Sequence, residues 1–308
     1  MNEFVQLSLA PLVIGALACT SCALLGNFLV LRRQSLIGDA ISHVALPGIV
    51  AAFLLTGTVS AWPMMVGAAA SALVAALLIE AIRTLGRVEP GAAMGVVFTA
   101  LFAAGVVLLE QSGARNVHLD AEHALYGNLE SLIWLAGESW RSLLDPAALR
   151  ELPPQLPRLA LVTSGVAACL AAFWKELAIS TFDPGFADSV GIPSRLVGFA
   201  LVVLVAVAAV AAFDAVGSII VIAMFICPAA AARLMTDRLG TQLAWSVAFA
   251  LLASVAGYVL AGYGPLWLGA RHSVSAAGMI ATMAGLILAL ACLFGPRRRG
   301  LKPGPAGV

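Results

Sequence analysis

The stretch "SLIGDAISHVALPG" (Ser35–Gly48) sets Asp39 and His43 four residues apart. On a helix this spacing puts them on one face about one turn apart. A carboxylate oxygen and an imidazole nitrogen so arranged can converge on one divalent cation. Pro47 continues the ridge and has no N–H, which leaves the His43 carbonyl free as an oxygen ligand or a water contact. The spacing equally allows Asp39 to cap a helix start and His43 to make a structural hydrogen bond.

A second stretch, "AAFDAVGSIIVIAMFICPAAAARLMTDRL" (Ala211–Leu239), places Asp214 where two apolar runs meet, with Gly217 close behind. Broken helices that expose backbone in transport pathways have this pattern, and so does a plain outer turn. Pro228 is expected to kink the run that follows. The third stretch, "KELAISTFDPGFADSVGIPSRL" (Lys175–Leu196), opens a short helix at Asp183-Pro184 and stops it at Gly191 and Pro193. A short amphipathic helix lying along a membrane surface suits docking into a partner's groove, or is simply interfacial. His118, Asp120, Glu122 and His123 offer further ligand-type side chains, but their spacing matches no rigid motif. Cys19 and Cys22 share a helix face and could hold a soft metal, although small residues also serve close helix packing in lipid.

No G-x-x-x-x-G-K-[ST] phosphate loop occurs, so the chain is not expected to hydrolyse ATP itself. No G-x-S-x-G nucleophile motif accompanies its Ser, His and Asp residues. Intramembrane hydrolysis is therefore a weak alternative, and the chain is not expected to be an enzyme.

These groups lie in a chain made for lipid. Of its 308 residues 61% are hydrophobic and 11% charged, against roughly 25% charged in a soluble domain. Apolar runs of membrane-crossing length fall near Phe4–Leu31, Leu36–Leu55, Trp62–Leu85, Gly91–Leu109, Leu156–Trp174, Leu196–Phe213, Val216–Leu234, Gln242–Gly262 and Val274–Phe294. That makes an all-α polytopic bundle of eight or nine helices, the uncertainty lying at the 213–216 junction and in the first run. Threading nine with the amino terminus outside places 12 of the 17 Lys and Arg residues on one side, which is then cytoplasmic. Residues 1–296 form one transmembrane domain. Within it, 110–155 is an extracytoplasmic loop with short helices, where Trp134 and Trp140 suit an aromatic belt, and 176–194 is a cytoplasmic region. The basic tail, 297–308, is expected to be disordered and cytoplasmic, an anchor and not a nucleic-acid patch.

Taken in order, "LIGDAISHVALPGIV", "FDPGFADSVGIP" and "AVGSIIVIAMFICPAAAARLMTDRL" resemble hallmark segments of the permease subunits of bacterial ABC importers for manganese, zinc and iron. "EPGAAMGVVFTALFAAGVVLL" and "HALYGNLESL" look like the intervening segments, so the resemblance covers nearly the whole chain. It implies a type II importer-like permease in the bacterial cytoplasmic (inner) membrane. Its partners would be a second permease subunit, the same or different, two cytoplasmic ATPase subunits and an extracytoplasmic metal-binding protein. The resemblance implies no intrinsic cofactor, only a transported Mn²⁺, Fe²⁺ or Zn²⁺. It puts Asp39 and His43 in the translocation path and Phe182–Gly191 on the coupling helix that meets the ATPase, including Asp183, Pro184 and Ala187. Asp214 stands where related members often carry Glu, which makes it a candidate third ligand. Trp134–Pro154 looks like an insertion. A proton-coupled secondary transporter using Asp39 and His43 as a relay, and a membrane enzyme, are the alternatives from other classes.

Overall fold

A computed structural model of the chain describes residues 4–57, 61–111, 127, 129–137, 139–267 and 274–297. The ligand-type cluster at His118–His123 and most of the basic tail lie outside them. Among the described residues every regular element is helical. Lipid offers the backbone no hydrogen-bond partner, so a chain of this composition must satisfy its amides within helices.

A π-helical turn, Val5–Leu9, leads into α1 (Ala10–Leu31). Three long helices follow: α2 (Leu36–Thr56), α3 (Ala61–Leu85) and α4 (Pro90–Gln111). After the outer loop come α5 (Pro146–Arg150) and α6 (Gln155–Ala172). Two short helices, α7 (Trp174–Phe182) and α8 (Pro184–Ser189), precede α9 (Ser194–Met235), and α10 (Leu239–Trp267) and α11 (Ala276–Phe294) complete the bundle. Among the described residues eight helices are long and apolar enough to cross a membrane.

One of the eight accounts for two passes. α9 has 42 residues, about 63 Å at 1.5 Å per residue, twice the ~30 Å of a bilayer core. Its two ends lie at the same end of the bundle. A Cβ on Gly198 would sit 3.0 Å from the Arg32 guanidinium, while Leu234 accepts a hydrogen bond from the Arg297 amide at 3.1 Å. Next in the chain, Gln242 donates to Asn27 at 3.0 Å, one turn above Arg32. The chain turns back at Gly217, whose φ of 78° and ψ of 170° interrupt the helix. This conformation is essentially reserved for glycine. The opposite end fits the reversal closely, since a Cβ on Gly127 would lie 2.5 Å from the Gly217 nitrogen.

α1 is buried along most of its length and forms the centre of the bundle. Small residues set the closest crossings. A side chain on Gly26 would overlap the Phe225 carbonyl, and Gly48 of α2 meets Gly67 of α3 backbone to backbone. Without a hydrophobic drive between helices in lipid, close approach of this kind supplies the packing energy.

The outer tract differs from the expectation of an aromatic belt. Trp134 is fully buried against Val5, Ala10 and Ala148, and its indole N–H donates to the Ala148 carbonyl at 2.9 Å. Its amide donates to Gln6 at 2.9 Å, tying the tract to the start of the first helix. Trp140 alone of the pair is exposed, on a 3₁₀ turn from Trp140 to Leu144.

Candidate functional site

His43 lies at mid-helix in α2 and is half-buried. Its ring meets Phe98 and Phe102 of α4, with centroids 5.6 Å and 5.8 Å away. Pro47, one turn on, packs against Gly105, where a Cβ would lie 3.0 Å from the Pro47 Cβ. Positions 98, 102 and 105 share one face of α4, so the His43–Pro47 ridge runs along the α2–α4 seam. The absence of a side chain at Gly105 admits the proline ring. Asp39 falls in α2 one turn before His43, and its side chain lies outside the described residues.

Asp214 sits elsewhere. It accepts a hydrogen bond from the Arg158 guanidinium of α6 at 2.8 Å, and its side chain is 34% exposed. Arg158 also lies over the Trp62 ring, 5.7 Å from its centroid. One turn before Asp214, Val210 packs against Ala45 and Ala68. Ala45 is two residues from His43, hence about 200° around the helix. The face of α2 that meets the Asp214 limb is therefore not the face that carries His43. Ala45 and Val210 being level, Asp214 also stands about 9 Å further from the basic end than His43, six residues at 1.5 Å. Within one chain the structure does not bring the two together.

No group of three or more His, Cys, Asp and Glu side chains among the described residues is placed to hold a metal. Cys19 and Cys22 are both buried in the main core. Pro228 lies within the second limb of α9 and is buried there.

The segment Phe182–Gly191 forms its own compact turn at the basic end. Asp183 ends α7 and caps α8, accepting from the Phe186 amide at 2.9 Å, and Pro184 takes the first position of α8. Ala187 is buried and its carbonyl accepts from Ile192 at 2.9 Å. Gly191 holds a φ of 83°. Asp188 accepts from the amide and the hydroxyl of Ser194 at 2.9 Å and 3.1 Å. These bonds, the amide's first, hold its carboxyl below the usual carboxylate range, with Arg195 adding to the effect. Phe182, Phe186 and Val190 are left exposed. Arg32 ties this segment to α1, donating to Ser180 at 2.8 Å and Thr181 at 3.0 Å.

Arg158 and Arg32 were not singled out by spacing. Their partners lie 56 and 149 residues away, beyond the reach of any local pattern.

A family model described as the ABC 3 transport family matches residues 3–133 and 153–295. The chain belongs to that family. It is 42% identical over 282 residues to the manganese transport system membrane protein MntD of Bacillus subtilis (strain 168), covering 92% of this chain and 90% of that one. To the zinc transport system membrane protein TroD of Treponema pallidum (strain Nichols) it is 38% identical over 293 residues, covering 94% and 75%. Among solved structures, PsaBC from Streptococcus pneumoniae in complex with Fab superposes with a TM-score of 0.71 at 26% identity, covering 95% and 93%. The family match skips residues 134–152, the tract that carries the buried Trp134. This chain is a multi-pass membrane permease of the ABC transport class.

Proposed function

We propose that this permease moves a divalent transition metal, with Mn²⁺ the leading cargo, into the cytoplasm, driven by two separate ATPase subunits. The 42% identity to a manganese permease along nearly the full chain supports manganese over zinc. The observation that carries the site assignment is the His43–Pro47 ridge on the α2–α4 seam, half-buried and edged with aromatic side chains. A charged side chain at this depth costs about 2.5 kcal/mol or more unless it has a partner or a function. Asp39 contributes a hard oxygen and His43 a borderline nitrogen, a pairing that suits Mn²⁺ or Fe²⁺ and tolerates Zn²⁺. Two protein ligands with water bind loosely enough for the ion to leave. A second permease subunit, facing the ridge, would complete the pathway.

Asp214 then serves as a separate station near the outer end, where an extracytoplasmic binding protein would deliver the ion. There it holds Arg158 as a resident cation that the metal must displace. Phe182, Phe186 and Val190, exposed on the α7–α8 turn, offer the ATPase an apolar contact.

The reading is tested by radiomanganese uptake in vesicles holding this permease with its ATPase and binding protein. Uptake should require ATP and survive collapse of the proton gradient. Uptake that persists without ATP and stops when the gradient is dissipated would replace it with a proton-coupled carrier.

A further inference from the structure

At the basic end a cavity of about 400 Å³ opens between α1, α2, α3, α7 and α9, lined by Arg32, Arg33, Arg83 and Arg195. Its volume falls in the range of small-ligand sites. Three segments distant in sequence supply these guanidinium groups, and among the described residues Glu80 is the only carboxylate on the wall. Glu80 is already engaged, 3.2 Å from Arg83. Arg32 uses its Nε and one Nη on Thr181 and Ser180, two of the guanidinium's five N–H donors. Burial, and then the charge of Arg83, hold the Arg32 guanidinium below its ordinary value, so the cluster is short of negative charge.

A divalent cation is a poor occupant for such a wall. The favourable occupant is a compact anion with several acceptor oxygens, which planar guanidinium forks bind in bidentate fashion. Ile79, Met94 and Val202 add apolar lining to the cavity. It lies where the membrane-crossing helices end, the level at which basic pockets between helices take anionic headgroups.

We infer that this arginine-lined cavity is a binding site for a phosphate group, carried by an anionic phospholipid of the inner leaflet or present as a soluble phosphate. The bound anion would hold the end of α1, α3 and the start of α9 together by neutralising the three elements' charges at once. The site is independent of which ion the permease carries.

The test uses the full chain in nanodiscs of phosphatidylcholine, with phosphatidylglycerol or millimolar inorganic phosphate added in separate arms. Thermal unfolding and native mass spectrometry of retained lipid are measured together. Phosphatidylglycerol should raise the wild-type unfolding temperature and remain bound, whereas Arg33→Gln combined with Arg195→Gln should weaken its retention roughly 30-fold. Arg238→Gln, at the same end but off the cavity wall, should behave as wild type. A matching rise with inorganic phosphate, lost in the double variant, would assign the site to soluble phosphate. Equal responses of wild type and double variant in both arms would overturn the inference. So would a response of the wild type to an acidic peptide alone, which would give the cavity to a protein partner.

Discussion

The environments of His43 and Asp214 differ in the way that an inner binding station differs from an outer one. His43 stands among aromatic rings on the α2–α4 seam, while Asp214 is partly open and ion-paired with Arg158. On the proposed function, this half-buried imidazole would meet a cation that has lost part of its water. A carboxylate already holding a guanidinium must exchange one cation for another, which suits capture and release. On the proposed function, the two ligand-type residues have separate duties.

The largest effect that can break this comparison comes from combining both sites. His43→Ala should lower metal uptake about 100-fold and Asp214→Asn about tenfold, since even outer supports of a metal ligand are worth 10- to 100-fold. The losses should multiply in the double variant, as expected for separate sites. A double variant no worse than His43→Ala alone would merge the two into one site, assembled by some means other than contact within a chain.

Of intermediate size is Gly217→Ala, which forces a side chain into a conformation that suits glycine at the turn that sets Asp214 at the outer end. It should destabilise the folded chain by about 1–3 kcal/mol, read as a lower unfolding temperature in detergent. An unchanged unfolding temperature would mean that the reversal needs no glycine.

The smallest effect is at the ion pair. Arg158→Gln removes the resident cation from Asp214 and should tighten outer metal binding by no more than about fivefold, the scale of a partly exposed pair. Half-saturation of uptake should fall accordingly while the maximal rate stays near wild type. Weaker binding would recast Arg158 as a support of Asp214 and not a competitor.

Much of the fold was legible because the bilayer imposes it. Uninterrupted apolar runs have one stable conformation in lipid, so the spans follow from hydropathy, and the junction at 213–216 was visible as Asp214 followed by Gly217. The reversal itself needed the contacts of Gly198 and Leu234, which pin both ends of α9 to one end of the bundle. The local chemistry of Asp183, Pro184 and Gly191 was equally readable, since caps and positive-φ glycines act within a few residues. Trp134 was misplaced because hydropathy reports an interfacial tryptophan and a buried one alike. Its core depends on Val5 and Ala10, far away along the chain. Phe98 and Phe102 around His43, Arg158 at Asp214 and the four-arginine cavity stayed invisible for the same reason. Each is made by helices whose relative rotation spacing does not encode.

On the proposed function the ion passes His43. The most direct measurement is radiomanganese uptake together with ATP hydrolysis in vesicles containing the assembled transporter, comparing wild type with His43→Ala and Asp39→Asn. Both variants should hydrolyse ATP at close to the wild-type rate while uptake falls to a small fraction of wild type. Wild-type uptake in both would contradict it and move the pathway off the α2–α4 seam.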